Sequence, residues 1–269
     1  MLLRVAHTPD ADDAFMFYAM LNNKIPLTFE LESIIEDIET LNFKAMSGIY
    51  DVTAISVHAY AFVADRYRIL STGASVGDGY GPVVVAREKI DPENAIIAVP
   101  GKLTTATLLL KLFCEAKTVE MRFDEIPDAV VSGKVDAGLL IHEAQLSYEK
   151  YGLKKIMDLF ELWNSITNLP LPLGVNAIKR SIDEEVQKSF LRAMRMSVEY
   201  AVENFEEALD YAKMFSRGLE VEKLAKFIKM YVNSYTLEMP EKVEKAIETL
   251  FEMAENKGFL KKPPLDVLR

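Results

Sequence analysis

His142 is the residue whose type and position point most directly to chemistry. It follows Asp136-Ala137-Gly138-Leu139-Leu140-Ile141, an almost uninterrupted apolar run that reads as a strand covered on both faces. Ligands of parallel α/β sheets bind outside the carboxyl ends of strands, and an imidazole there can exchange a proton near neutral pH. The same position also suits a structural histidine bonded to backbone at a strand end. A second candidate is Pro100-Gly101-Lys102-Leu103-Thr104-Thr105-Ala106, which reads as a strand end, a glycine turn and a helix start with two hydroxyls. Unpaired N–H groups at such a start suit a carboxylate or phosphate, and Thr104 as a plain cap fits the same geometry. The segment is not a Walker sequence.

Thr8-Pro9-Asp10-Ala11-Asp12-Asp13 sets three acids at the opening of a helix. They suit metal ligation, hydroxyl binding or compensation of the helix dipole. EF-hand spacing and its terminal Glu are absent, and capping plus one substrate contact, from Asp10, is the reading adopted. Ser56 at the end of an earlier strand, and Gly81 in the turn Gly79-Tyr80-Gly81-Pro82, are further substrate-binding candidates, with ordinary loop chemistry as the alternative. His7 adjoins the first strand as a structural residue, and His58, in Val57-His58-Ala59-Tyr60-Ala61-Phe62, reads as a satisfied helix residue. No histidine pair has zincin spacing and no Gly-x-Ser-x-Gly elbow occurs, so neither a metal site nor Ser-His-Asp hydrolysis is indicated.

The elements that must position these residues are short apolar runs alternating with stretches of helical period, the pattern of sheets covered by helices. Strands are expected over 2–6, 27–33, 51–55, 83–86, 95–99, 119–123 and 136–141, and helices over 12–22, 38–46, 104–114, 126–132 and 159–165. From Ile182 onward the chain is nearly all helical, with Phe190, Met194, Val198 and Ala201 at three-to-four spacing. The expected architecture is a two-lobed α/β fold. One lobe is made of 1–87 plus 175–269 and the other of 88–174, with a ligand cleft between them and crossings near Ala86 and Gly174.

Composition narrows the function. Half of the 269 residues are apolar, ample for a buried core. Lys and Arg number 31 against 41 Asp and Glu, a net charge of −10 without any basic stripe, which excludes nucleic acid as a partner. Cys114, in an apolar run, reads as an inert buried thiol. No apolar run reaches the ~20 residues that span a bilayer, and Met1-Leu2-Leu3-Arg4 turns polar too early for a secretory signal, so the cytoplasm is the expected compartment and no membrane partner is expected. No oligomeric state is read from these features.

Together, Thr8 to Ala19, Gly81-Pro82-Val83-Val84-Val85-Ala86, Pro100 to Ala106 and Leu140-Ile141-His142-Glu143 resemble the 1,4-dihydroxy-6-naphthoate synthase family of the futalosine route to menaquinone. The likeness continues through Tyr151-Gly152-Leu153, Leu169 to Gly174 and Tyr231-Val232-Asn233-Ser234-Tyr235. It implies a fold like type 2 solute-binding proteins, turned into a lyase that cleaves cyclic dehypoxanthine futalosine, a small carboxylate, without redox cofactor or metal. It further implies His142 as general base and Thr104, Thr105 and Ser56 as cleft contacts. Many members read Ser-Pro-Cys-Pro-Asn-Asp-Thr-Phe where this chain reads Thr8-Pro9-Asp10-Ala11-Asp12-Asp13-Ala14-Phe15, the mark of a sub-branch. The rival readings are a chorismate dehydratase of the same route and a non-enzymatic solute-binding protein.

Overall fold

The structure, a computed structural model, describes residues 1–216 and 218–269. In chain order, β1 (Leu2–His7), α1 (Ala11–Leu21), β2 (Glu30–Ile35), α2 (Ile38–Met46), β3 (Val52–Ser56), the short α3 (Val57–Tyr60), β4 (Tyr67–Leu70) and β5 (Ser75–Gly77) come first. They are followed by β6 (Val83–Ala86), β7 (Ile96–Val99), α4 (Thr105–Phe113), β8 (Lys117–Glu120), α5 (Ile126–Val131), β9 (Ala137–Leu140) and β10 (Lys154–Asp158). Then come α6 (Leu159–Thr167), β11 (Leu171–Lys179), α7 (Glu184–Glu203), α8 (Phe205–Ala212), α9 (Val221–Tyr231), α10 (Ser234–Leu237), α11 (Glu241–Asn256) and β12 (Val267–Leu268).

The strands form two mixed sheets. One runs β12-β4-β11-β3-β1-β2 with β5 also on β11, and the other runs β10-β6-β9-β7-β8. Strands joined through helices lie parallel, β1 to β2 and β3, and β7 to β8 and β9, as helical crossover connections allow. β6 and β11, which carry the chain from one sheet into the other, run antiparallel to their neighbours. Each sheet with its helices makes one lobe. Against crossings expected near Ala86 and Gly174, the changes of sheet fall somewhat earlier, between Gly77 and Val83 and between Asp158 and Leu171. Val83–Ala86 already pairs with β9, and Leu171 and Pro172 already pair with β5.

Burial follows the sequence pattern. On α7, Phe190, Met194, Val198 and Ala201 are all fully buried, each large apolar side chain contributing about 1.5–3 kcal/mol. That face covers α1, which also touches α8 and α9. Because α1 is enclosed on all sides, Ala11 through Met20 are buried, the acids at its start included. In the second lobe, α4 packs against α3, α6, α11 and β11, so one apolar core runs through both lobes. Trp163, fully buried on α6, donates Nε1–H to the carbonyls of Leu169 and Pro170, both at 3.0 Å, and so fixes the entry to β11. Cys114 is a buried free thiol. No helix among the described residues is long and apolar enough to cross a membrane.

Gly138 on β9 lets α5 lie directly against the second sheet. A Cβ there would sit 2.8 Å from Val130 Cγ2 and closer still to Ile126 Cγ2. Gly138→Ala is therefore expected to destabilise the protein by about 1–3 kcal/mol through overpacking, measured as a lowered urea midpoint with unchanged slope.

Candidate active site

Four strand ends build the site. The segments that follow β1, β3, β7 and β9 converge on a cleft enclosing ≈ 710 Å³ of space, part of it open to solvent. This is the carboxyl-end location that α/β sheets use for ligands. From the first lobe come Thr8, Asp12 and Asp13 after β1, Ser56 ending β3, and Asn176 on β11; from the second come Thr104, Thr105, His142 and Gln145.

His142 stands with φ +53, a left-handed conformation rare outside glycine, so its surroundings must hold it there. Its Nδ1 lies 3.1 Å from Asp10 Oδ2, and the ring of Phe123 meets it edge-on at 5.0 Å. Nε2 is buried and has no hydrogen-bond partner. Asp12 Oδ1 and Asn176 Oδ1 are likewise buried without partners, so three polar side chains of the cleft have unmet bonding capacity. Unmet buried polar atoms in a native cavity mark a place where a ligand completes the bonding.

The helix start at α4 does two things. Thr104 caps it, its hydroxyl accepting from the Thr107 N–H at 3.3 Å and lying 2.9 Å from the Gly101 carbonyl. Thr105 spans the lobes: its hydroxyl accepts from the His58 N–H at 3.2 Å and donates to the Leu173 carbonyl at 2.6 Å. With both hydroxyls engaged, the groups left for a ligand are the backbone N–H donors of the first turn. Glu39 of α2 reaches across to accept from the Leu103 N–H at 3.0 Å. Gly101, φ +143, is what permits this, because a Cβ there would lie 2.5 Å from Glu39 Cγ and Oε2. Ser56 is braced twice by buried Asn42, whose Nδ2 donates to its hydroxyl at 3.1 Å and whose Oδ1 accepts from its N–H at 2.9 Å. The Ser56 hydroxyl proton is thereby left to donate to a ligand.

Acids dominate the electrostatics, and no lysine or arginine is among the described residues lining the cleft. Burial first, then the fields of Asp13, Asp10 and Glu143, hold the Asp12 carboxyl well above the usual range, which favours its protonated, hydrogen-donating form. Burial also raises Asp13, although Asp13 accepts from the Thr8 N–H and hydroxyl, both at 2.7 Å. The Tyr231 phenol, pushed upward by burial, accepts from Gln145 Nε2 at 2.7 Å across the lobes. Burial lowers His58 to about 4, so it is neutral near pH 7 and serves as a strut, its Nδ1 3.3 Å from the Thr104 carbonyl. His7, stacked on Phe17 at 4.9 Å and bonded to Ser33 and the Thr8 carbonyl, is structural too. No group of three or more His, Cys, Asp or Glu residues suited to a metal ion occurs among the described residues.

Of the residues singled out from sequence, His142, Ser56, Thr104 and Thr105 line the cleft together. Asp10 lies behind His142, and Gly81 packs against Leu171 and Phe160 while its neighbour Pro82 reaches the wall. Sequence reasoning passed over Asn176, Gln145 and Tyr231. Asn176 had a visible signal, a polar residue inside the buried run Val175-Asn176-Ala177-Ile178; Tyr231 stood in a family-like run without a site role, and Gln145 had no signal, because their pairing spans 86 residues.

Two lobes of mixed sheet, facing each other over a cleft built from strand ends, define a protein of the periplasmic-binding-protein fold. Solved structures agree: the alkanesulfonate-binding protein SsuA from Xanthomonas axonopodis pv. citri superposes with a TM-score of 0.76 at 13% identity, covering 100% of this chain and 98% of its own. Protein AF1704 from Archaeoglobus fulgidus superposes with a TM-score of 0.95 at 58% identity, over 96% of this chain and 98% of that one. The chain belongs to the menaquinone biosynthesis family, whose sequence pattern matches residues 3–256. It is similar to the 1,4-dihydroxy-6-naphthoate synthase of Thermus thermophilus, 40% identical over 97% of both chains. It is also similar to the synthase of the same name from Streptomyces coelicolor, 34% identical over 96% of this chain and 94% of the relative.

The raised Asp12 carboxyl has a stability signature. Its folded-state value exceeds that of the unfolded chain, so its contribution is full at pH below the ordinary carboxylate range and is lost as pH rises through the folded value. Asp12→Asn removes this loss. Melting curves from pH 4 to 8 should show the variant gaining on the parent as pH rises, about 2–4 °C in Tm per kcal/mol relieved; parallel curves would deny the carboxyl this role.

Proposed function

We propose that this chain catalyses the reaction named for its curated relatives, formation of 1,4-dihydroxy-6-naphthoate, by cleaving cyclic dehypoxanthine futalosine with release of a small ribose-derived fragment. The observation that carries the reading is His142 on the wall of the cleft, its Nε2 unmet, in a chain that matches two synthases along nearly their whole length. In this reading Nε2 takes the proton from carbon beside an activating carbonyl, a step that a positioned base accelerates by about 10²–10⁴-fold.

The remaining acceleration comes from alignment and from donors facing the oxyanion as it develops. The N–H groups at the start of α4, the Ser56 hydroxyl and the Asp12 carboxyl, which burial shifts toward its proton-bearing form, are those donors. They also receive a carboxylate-bearing substrate in a cleft without cationic side chains among its described lining, since partial charges at a helix start offset anionic charge. Aromatisation of the product ring drives the cleavage forward. The cytoplasm is the compartment this reading implies.

The protein is to be incubated with cyclic dehypoxanthine futalosine, and in parallel with chorismate, and the products followed by mass spectrometry. The naphthoate is expected from the first incubation only, and His142→Ala is expected to lose roughly 10²–10⁴-fold in kcat. Absence of the naphthoate, or dehydration of chorismate instead, would reject the assignment.

A further inference from the structure

Asp10 occupies the N-cap position of α1, where an aspartate ordinarily accepts a hydrogen bond from the first turn. Here it makes no side-chain cap bond, although its backbone is in the extended cap conformation (φ −109, ψ 153). Its Oδ2 lies 3.1 Å from Nδ1 of His142, within ion-pair distance. The Asp10 side chain is 1% exposed and that of His142 17%, so the pair is largely shielded from water. Asp10 belongs to the first lobe, after β1, and His142 to the second, after β9. The backbone of His142 is held at φ +53, a conformation that persists only where surrounding contacts impose it.

From these observations we infer that Asp10 is the positioning residue of His142: from across the cleft it holds the imidazole proton on Nδ1 and leaves Nε2 bare to act as base. The inference rests on the reading of His142 given under Proposed function. The chemistry is that of a base oriented by a carboxylate, in which the carboxylate keeps its own state while the imidazole takes the substrate proton. Because the partners come from different lobes, the base is complete only when the lobes stand in this relation. The substrate contact expected of Asp10 from sequence becomes an indirect one, exerted through the ring.

The tautomer is read directly from ¹⁵N resonances of histidine in the parent protein above pH 8, with His142 assigned by its absence from His142→Ala. The parent is expected to carry the proton on Nδ1. Asp10→Asn, close in shape, is expected to shift proton density toward Nε2 and to lower kcat by about 10-fold or more, up to the ~10⁴-fold seen when the carboxylate beside a reacting histidine becomes an amide, with KM little changed. Asp10→Ala serves as a second variant should the amide disturb folding. A parent spectrum with the proton on Nε2 overturns the inference without any variant. So does an Asp10→Asn enzyme with raised KM and unchanged kcat, the signature of a plain substrate contact. Failure of the underlying reading is seen separately, as full turnover by His142→Ala while the parent tautomer remains on Nδ1.

Discussion

The relation between the two lobes rests on the strap that fastens the start of α4 to the first lobe. Thr105 stands between the His58 N–H and the Leu173 carbonyl, and Glu39 reaches over Gly101 to the N–H of Leu103. Bonds to an ionised acceptor are worth about 1.5–3 kcal/mol each, and burial raises the cost of ionising Glu39, so the strap works between opposing terms. The strap brings the start of α4 to the same cleft wall as Ser56 and Asp12. The apolar core that continues from one lobe into the other supports the same arrangement from behind.

Charge in the cleft is managed by burial and partial charges. An acidic chain that must hold an anion would ordinarily bring a lysine or arginine to it. Here the start of α1 concentrates carboxyl groups where solvent is excluded, and exclusion of solvent itself drives Asp12 toward its neutral form. A carboxyl shifted toward its neutral form repels an anion less than a fully ionised cluster would.

Much of this was legible in the sequence because the residues concerned end apolar runs. The predicted helix over 38–46 is the observed α2, and every expected strand and helix has an observed counterpart within a few residues. β10 escaped notice because it is an edge strand beginning with Lys154 and Lys155, charges that protect an edge from further pairing. β4, β5 and β12, of four, three and two residues, are too short to show a period and exist because longer partners accept them. The hydroxyls of Thr104 and Thr105 were visible as types, while their engagement in a cap and an inter-lobe bridge depended on His58 and Leu173, far away in the chain. The left-handed backbone of His142 had no local signature, since it is imposed by packing.

The crossing strands set an order on biogenesis. The five-stranded sheet is drawn from one uninterrupted stretch, β6 to β10, whereas the other needs β11 and β12 from the far end of the chain before its middle and one edge exist. As the polypeptide leaves the ribosome, the five-stranded sheet can therefore pair first, while the core over α4 waits for β11 and α11. Until α7, α8 and α9 emerge, α1 has nothing to cover its outer face, and the side chains those helices bury stay accessible to chaperones.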